Sequence, residues 1–474
     1  MEGDVRRSAA LSGRLVLVGA AIAGWVLLRR LVLPGVRWYF RWRSRGVIEA
    51  VNRRLRLRMP AFKLTRRRKL VERLMRDPAV HEAIEEYSRE EGVPQVVAAV
   101  RAERYAREIV PTFNAYLYFR IGIPLAGWLT RALYEVSVGG VEWERSAAVD
   151  EDASVVFVMN HRSNMDYVVL AHLTAERAAL SYAAGEWARF WPLGPLVRAM
   201  GAFFVRRGSG DALYRRVLER FVQMAVEGGL TQVVFPEGGL SRDGRLREPR
   251  TGLLDYMLRR FDPGGVRDLI FVPVAINYDR VLEDESLLKL GGSKVPAKSP
   301  GGPVASTALF ILRNLLVALR DRQRLGHAAV NFGAPISARE YVRSRGVDLR
   351  TLDRQERAEE VLVLAQALMQ TIGGIMPVVP VPATARVFVR DPEEAFSKQA
   401  VAARVRDLVS DLEERGARVS GEQLDPESAL RILTLRRLLA VDDGLYHAAP
   451  GSEKILRYYA NSISHLFEPE YTSS

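Results

Sequence analysis

A chain of 474 residues with no cysteine excludes disulfide scaffolds, zinc–thiolate centres and any mechanism that parks an intermediate on an enzyme thiol. With 48% hydrophobic and 26% charged residues it has the material for a sizeable core and is not globally disordered, and its length allows two or three domains. The net charge of +13, from 69 basic against 56 acidic residues, suits solubility, nucleic acid, an anionic membrane or phosphorylated substrates alike.

The first predicted element is the uninterrupted apolar run Leu15–Leu28, closed by Arg29 and Arg30. It is short for a spanning helix and fits an interfacial or shallow segment better. Extending it to Leu33 takes in two arginines, which would have to snorkel. No small-residue cleavage site ends the run, so a removed signal peptide is not expected. Trp38-Tyr39-Phe40-Arg41-Trp42-Arg43 follows, pairing rings that favour the headgroup level with cations that favour lipid phosphate. Only Glu49 opposes the cations between Arg29 and Lys69. An amphipathic helix packed on the protein body is one reading of this segment. The reading we favour is contact of residues 1–45 with anionic membrane lipids. If the run spans, the basic excess on its carboxyl side puts the body on the cytoplasmic side of the inner (plasma) membrane.

Residues 46–140 read as helices, with Leu70, Val71, Leu74, Val80, Ile84 and Tyr87 at helical spacing. The apolar aromatic stretch Tyr116–Trp128, broken by Pro124, reads equally as core or as a second membrane-facing surface. From about residue 140 short β-branched runs alternate with helical patterns. The expected strands are Ser154–Met159, Leu180–Ala183, Ala202–Val205, Thr231–Phe235, Leu269–Ile276 and Ala328–Phe332. One helix runs from Asp211 as its cap to the stop at Gly228-Gly229, and another follows Thr251. This alternation predicts an α/β fold over residues 141–340, a mostly parallel central sheet flanked by helices, with the site in loops beyond the strand carboxyl ends. Gly291–Gly302 is a Gly/Pro/Lys/Ser linker, and a long helix is expected over Ser306–Arg320. Residues 341–474 read as a helical carboxyl-terminal region, punctuated at Met376–Pro382.

The chemistry gathers in the loops. Strand SVVFVM runs into Asn160-His161-Arg162-Ser163-Asn164-Met165-Asp166-Tyr167. Ser163 and Asp166 read as a capping box. His161 then lies in the strand-to-helix turn and Asp166 in the first helical turn, where a carboxylate can fix the imidazole tautomer and leave the other nitrogen as a base. The bland reading is a helix cap beside a loop histidine. His465 and Glu470 repeat the spacing without a leading strand and with Pro469 between them. There is no Gly-x-Ser-x-Gly elbow, which argues against a serine hydrolase, and no His-Glu-x-x-His, so a zincin reading fails. Gly201–Val205 leads into Arg206-Arg207. Phe235-Pro236-Glu237-Gly238-Gly239-Leu240-Ser241-Arg242 ends another strand in a turn whose glycines allow close backbone approach to an anion. Val272-Pro273-Val274-Ala275-Ile276-Asn277 puts a proline inside a strand, which predicts an edge or a strand end.

In this order and spacing these blocks resemble the glycerolipid acyltransferase family, whose signature is His-x-x-x-x-Asp, a Phe-Arg block, Glu-Gly and a Pro-containing strand. Trp191–Pro195, the run Glu237–Leu254 and Tyr458–His465 are more similar to its glycerol-3-phosphate acyltransferases, bacterial ones above all, than to its lysophosphatidate acyltransferases. Leu240 stands where the family usually has arginine, Asn164 where a second histidine is common, and the long amino-terminal domain of the larger bacterial enzymes is missing from this chain. The resemblance implies acyl transfer from acyl-CoA or acyl-carrier protein to glycerol 3-phosphate, with no bound cofactor or metal. It implies His161 as general base and Asp166 as its orienting partner. Arg162, Ser163, Arg206, Arg207, Glu237, Gly238, Gly239, Ser241, Arg242 and Pro273 are the expected substrate-binding positions. Competing readings are a different acceptor (lysophosphatidate or dihydroxyacetone phosphate), a non-catalytic lipid-binding protein on this fold, and a nucleic-acid binder. The last has only net charge in its favour, and no nucleic acid is expected.

Overall fold

A computed structural model describes residues 57, 59–141, 149, 152–184, 193–206, 209–291, 325–419 and 424–467. The segments Leu15–Leu28 and Trp38–Arg43, Arg207, most of the Gly291–Gly302 linker and the helix expected over Ser306–Arg320 lie outside the described residues. No described helix is long and apolar enough to cross a membrane.

The frame is one sheet of β1 (Glu135–Val141), β2 (Ser154–Met159), β3 (Ser181–Ala184), β4 (Phe203–Phe204), β5 (Gln232–Val234), β6 (Leu269–Tyr278), β7 (His327–Phe332) and β8 (Ile336–Ser337). The spatial order is β1-β7-β6-β2-β5-β3-β4, with β8 also paired to β6. From β6 through β4 all neighbours are parallel, while β7 and β8 run antiparallel to β6. The sheet is therefore mostly parallel, as the alternation of runs implied. Such a sheet must be covered on both faces, and β2 is: all its residues are buried. Val155, Phe157 and Met159 join one core and Val156 and Val158 the other, the period-two alternation of a strand.

The longer helices are α1 (Arg67–Met75), α2 (Pro78–Glu90), α3 (Gln95–Ile109), α4 (Ile123–Leu133), α5 (Asp166–Leu173), α6 (Leu193–Ala199), α7 (Ala212–Glu227), α8 (Gly252–Leu258), α9 (Asp284–Gly291), α10 (Ala338–Arg345), α11 (Arg354–Gly374), α12 (Pro380–Arg390), α13 (Lys398–Glu414), α14 (Pro426–Leu435) and α15 (Glu453–Ala460). One core takes in α5, α12, α14 and α15; the other takes in α1 to α3, α7, α8 and α11. Helix α7 has the predicted punctuation, with the Asp211 carboxylate accepting from the Tyr214 N–H and Gly228 ending it. The Tyr116–Trp128 stretch divides its duties: Tyr118 is buried, whereas Ile121, Leu125 and Trp128 are exposed.

One expectation is corrected. Pro273 is neither at an edge nor at a strand end. It sits inside β6, opposite Val158 of β2. On its other side the partner chain breaks between Phe332, which pairs with Val274, and Ile336, which pairs with Phe271. The missing proline N–H falls at that break, so a central strand tolerates it. The carboxyl-terminal region is mainly helical, as expected, and also holds a small sheet. β9 (Phe396–Ser397), β10 (Leu439–Asp442) and β11 (Leu445–Ala448) form a small antiparallel sheet. Its hairpin turns at Asp443-Gly444, both at positive φ (49° and 77°), the Asp-Gly signal of a two-residue turn.

Candidate active site

β2, β4, β5 and β6 are parallel, so the segments following them emerge at one end of the sheet, and the chemically interesting blocks come with them. Asn160 continues β2 by proxy. Its side chain accepts from Ile276 N–H at 2.8 Å and donates to Ile276 C=O at 3.0 Å. His161 follows, with Nδ1 at 2.9 Å from Asp166 Oδ2. Both side chains are buried, at 2% and 0% exposure. The same carboxylate accepts the N–H of Arg162 at 2.8 Å and of Ser163 at 3.1 Å, and its Oδ1 accepts the Tyr278 hydroxyl at 2.7 Å. An ionised carboxylate only accepts, so Nδ1 carries the proton and Nε2 keeps its lone pair. The imidazole lies 4.1 Å from the Phe235 ring and 5.6 Å from the edge of Tyr167. Its Nε2 bonds no described residue, and His161 lines a cavity of about 430 Å³.

Only half of the capping box is formed, the Ser163 N–H donating to the Asp166 carboxylate. Helix α5 begins at Asp166 itself and Met165 caps without a side-chain bond. The Ser163 hydroxyl instead donates to Glu283 Oε2 at 2.8 Å, and the Asn164 amide donates to Glu283 Oε1 at 3.0 Å. Glu283 lies beyond β6, fully buried, and burial pushes its carboxyl up to about 7. The loop Asn160–Asp166 is thus clamped from β6 by Tyr278 and Glu283.

From the other side β5 supplies Glu237. Its Oε1 accepts His161 N–H at 2.9 Å, and Ser241 N–H donates to His161 C=O at 3.0 Å, so one turn grips the histidine backbone twice. Glu237 Oε2 is buried with no hydrogen-bond partner among the described residues, and burial pushes this carboxyl up to about 8. Gly238 needs to be glycine. It has φ +67°, and a Cβ there would stand 2.7 Å from Arg250 Cδ. The Arg162 guanidinium donates to Gly244 C=O and lies 4.9 Å over the Tyr458 ring, so the carboxyl-terminal segment forms the floor of the loop.

The expected site residues sort by this geometry. His161, Arg206, Gly238 and Gly239 line the cavity. Arg162, Ser163, Glu237 and Ser241 are buried and hold the loops together. Arg206 is bound bidentately by Glu108 at 2.6 and 2.8 Å, and its guanidinium lies near 5 Å from the Tyr105 and Tyr214 rings (5.1 and 5.0 Å). Arg242 is exposed and, like Pro273 in the sheet interior, is not on the cavity wall. Leu240, at the position expected to hold arginine, packs against the core. Sequence reasoning missed Tyr278 and Glu283, which hold the loop, and Arg215 and Arg250, which line the cavity. The signal was positional: each lies in a segment leading into or out of the carboxyl end of a strand. His465 of the decoy pair is buried, bonded to Gly373 C=O at 3.2 Å and lowered to about 4 by burial.

Residues 140–277 match the Acyltransferase family model, and residues 312–470 match the Glycerol-3-phosphate acyltransferase C-terminal region. The chain is 31% identical over 427 residues to a protein named Glycerol-3-phosphate acyltransferase from Aeromonas hydrophila, covering 85% of this chain and 50% of that one. It is 30% identical over 444 residues to the one from Pseudomonas aeruginosa, covering 89% and 52%. The chain thus spans about half the length of the curated relatives it matches. A solved structure, the 1-acyl-sn-glycerophosphate (LPA) acyltransferase PlsC from Thermotoga maritima, is 15% identical with a TM-score of 0.30, covering 61% of this chain and 93% of that one.

Proposed function

We propose, for a chain whose residues 140–277 match the Acyltransferase family model, that it moves a fatty acyl group from acyl-CoA or acyl-carrier protein to the sn-1 hydroxyl of glycerol 3-phosphate. The observation that carries this reading is the His161–Asp166 pair at 2.9 Å, its Nε2 bonded to no described residue, in the wall of a cavity that also holds Arg206, Arg215 and Arg250. No protein nucleophile is needed, because the acceptor brings its own hydroxyl. That oxygen attacks the thioester carbonyl carbon, and its proton passes to His161 Nε2. Asp166 stays ionised and stabilises the imidazolium. The new C–O bond forms, the C–S bond breaks, and the imidazolium returns the proton to the departing thiolate. The acceptor phosphate is met by Arg206 and Arg250 of the cavity, with Arg207, next in sequence, and Arg242, in the turn after β5, because guanidinium forks match phosphate oxygens. The relatives' printed names support glycerol 3-phosphate as the acceptor. Residues 1–45 attach the protein to anionic lipids on the cytoplasmic side of the inner membrane.

The test is an acyl-transfer assay on purified protein with palmitoyl-CoA or palmitoyl-acyl-carrier protein and a panel of acceptors. Glycerol 3-phosphate should give a 1-acyl product at a higher kcat/KM than dihydroxyacetone phosphate or lysophosphatidate. A preference for either of those two replaces the acceptor. No transfer to any of them rejects the reading.

A further inference from the structure

The cavity beside His161 shares Arg215, Gly252 and Tyr256 with a second crevice of about 800 Å³. That crevice lies between α2, the first turns of α7 and α8, and the start of α11. Its ion pairs are unequally distributed. Glu219 and Asp255 on its wall are both bonded by Arg259, Asp255 is also held by Arg357 at 3.1 Å, and Arg216 stands 3.5 Å from Glu219. Arg215 donates only to the Ser209 carbonyl, at 3.2 Å, and Arg354 makes no hydrogen bond or ion pair among the described residues. Arg354 is moreover the first residue of the long helix α11, where the helix dipole favours an anion over a cation. Glu86 and Glu90 stand on the facing wall, on α2.

This arrangement suits the other half of the proposed reaction. A thioester donor must bring its carbonyl carbon to His161, while the phosphates of its carrier arm must stay solvated or meet cations. We infer that the crevice holds the phosphate-bearing end of the acyl-thioester donor. The pantetheine arm crosses the shared rim at Gly252, where a Cβ would meet nothing within 4 Å, and the thioester enters the His161 cavity. The inference rests on the acyl-transfer reading and adds to it a separate place for the donor.

The measurement is calorimetric binding of CoA, 4′-phosphopantetheine and pantetheine to the full chain and to Arg354→Glu and Glu90→Lys. Arg354→Glu is a mild change for the fold, since an acidic residue at the first helical position suits the dipole. The wild-type protein should prefer CoA to pantetheine, and Arg354→Glu should cut that preference by roughly threefold to tenfold, as reversing an exposed charge beside a phosphate does. Glu90→Lys should widen it. If 4′-phosphopantetheine shares the preference, the ligand is the part common to both carriers; if only CoA shows it, the ligand is the nucleotide end. Equal binding of CoA and pantetheine by the wild-type protein overturns the inference, as does an equal change for all three ligands in Arg354→Glu. Should the wild-type protein acylate glycerol 3-phosphate while either result holds, only the donor site fails. Absent acyl transfer with an intact CoA preference rejects the catalytic reading instead.

Discussion

On the β6 side of His161, Asp166 collects donors at both oxygens: the imidazole at 2.9 Å, two backbone N–H groups at 2.8 and 3.1 Å, and the Tyr278 hydroxyl at 2.7 Å. On the β5 side, Glu237 fills one oxygen with the His161 N–H at 2.9 Å and leaves Oε2 buried without a hydrogen bond from any described residue. Arg162 likewise leaves Nε and Nη2 without partners among the described residues. A buried polar group left unsatisfied costs about 1–3 kcal/mol. The difference separates two jobs. The proton-transfer side is complete at rest, so no reorganisation is needed when the imidazole takes charge. The Glu-Gly side keeps hydrogen-bonding capacity in reserve, in the turn where Gly238 and Gly239 form part of the cavity wall.

If this division is right, the largest losses come from the complete side. His161→Ala should lower kcat by about 10²–10⁴-fold, the range of a general base, with the melting temperature little changed. A well-folded variant with wild-type turnover would remove the mechanism. Tyr278→Phe is a smaller cut at the same place. It deletes one donor to Asp166 and leaves a buried carboxylate oxygen unsatisfied, about 1.5–3 kcal/mol for a bond to a charged group. Turnover should fall roughly tenfold or more, with KM for glycerol 3-phosphate nearly unchanged and the acidic limb of the pH–rate profile, where the general base is lost, displaced. A rise in KM with unchanged kcat would place Tyr278 on the acceptor side and erase the distinction.

The two sides were not equally legible in the sequence. His161 and Asp166 are close along the chain and follow an unmistakable apolar strand, so local spacing was enough to pair them. The parallel sheet followed from alternating β-branched runs, which were misplaced by only a residue or two at their ends. What local pattern cannot carry is pairing across the chain. Tyr278 and Glu283 are more than a hundred positions from the loop they clamp, and Arg206 is drawn to Glu108, on the helical region, rather than left on a bare strand end. Pro273 misled because strand rules consider one neighbour at a time, whereas β6 has β2 on one side and a broken partner on the other. In the carboxyl-terminal region the Asp443-Gly444 turn was present to be read, but the strands around it are too short for a period-two pattern to stand out against the helices.

The smallest expected effect tests the reserve side directly, through stability rather than rate. Burial holds the Glu237 carboxyl at about 8, against an ordinary value of 4.5. Between those values the folded chain keeps a proton that the unfolded chain has released. The unfolded state then binds fewer protons, so the contribution of Glu237 to stability falls as pH rises through the window, by at most about 1.4 kcal/mol per pH unit. Glu237→Gln removes the titration while keeping an oxygen to accept the His161 N–H. Glu283, raised in the same direction to about 7, titrates in both proteins and cancels from the difference. Urea unfolding at a series of pH values should therefore show the variant gaining on the wild-type protein from about pH 5 to 8, with a constant difference below and above. A difference that stays flat across that window would mean that Glu237 is ionised throughout, its charge balanced by Arg162 and Arg247. The two carboxylates beside His161 would then be alike in charge, and the contrast between a finished side and a reserve side would reduce to a count of donors.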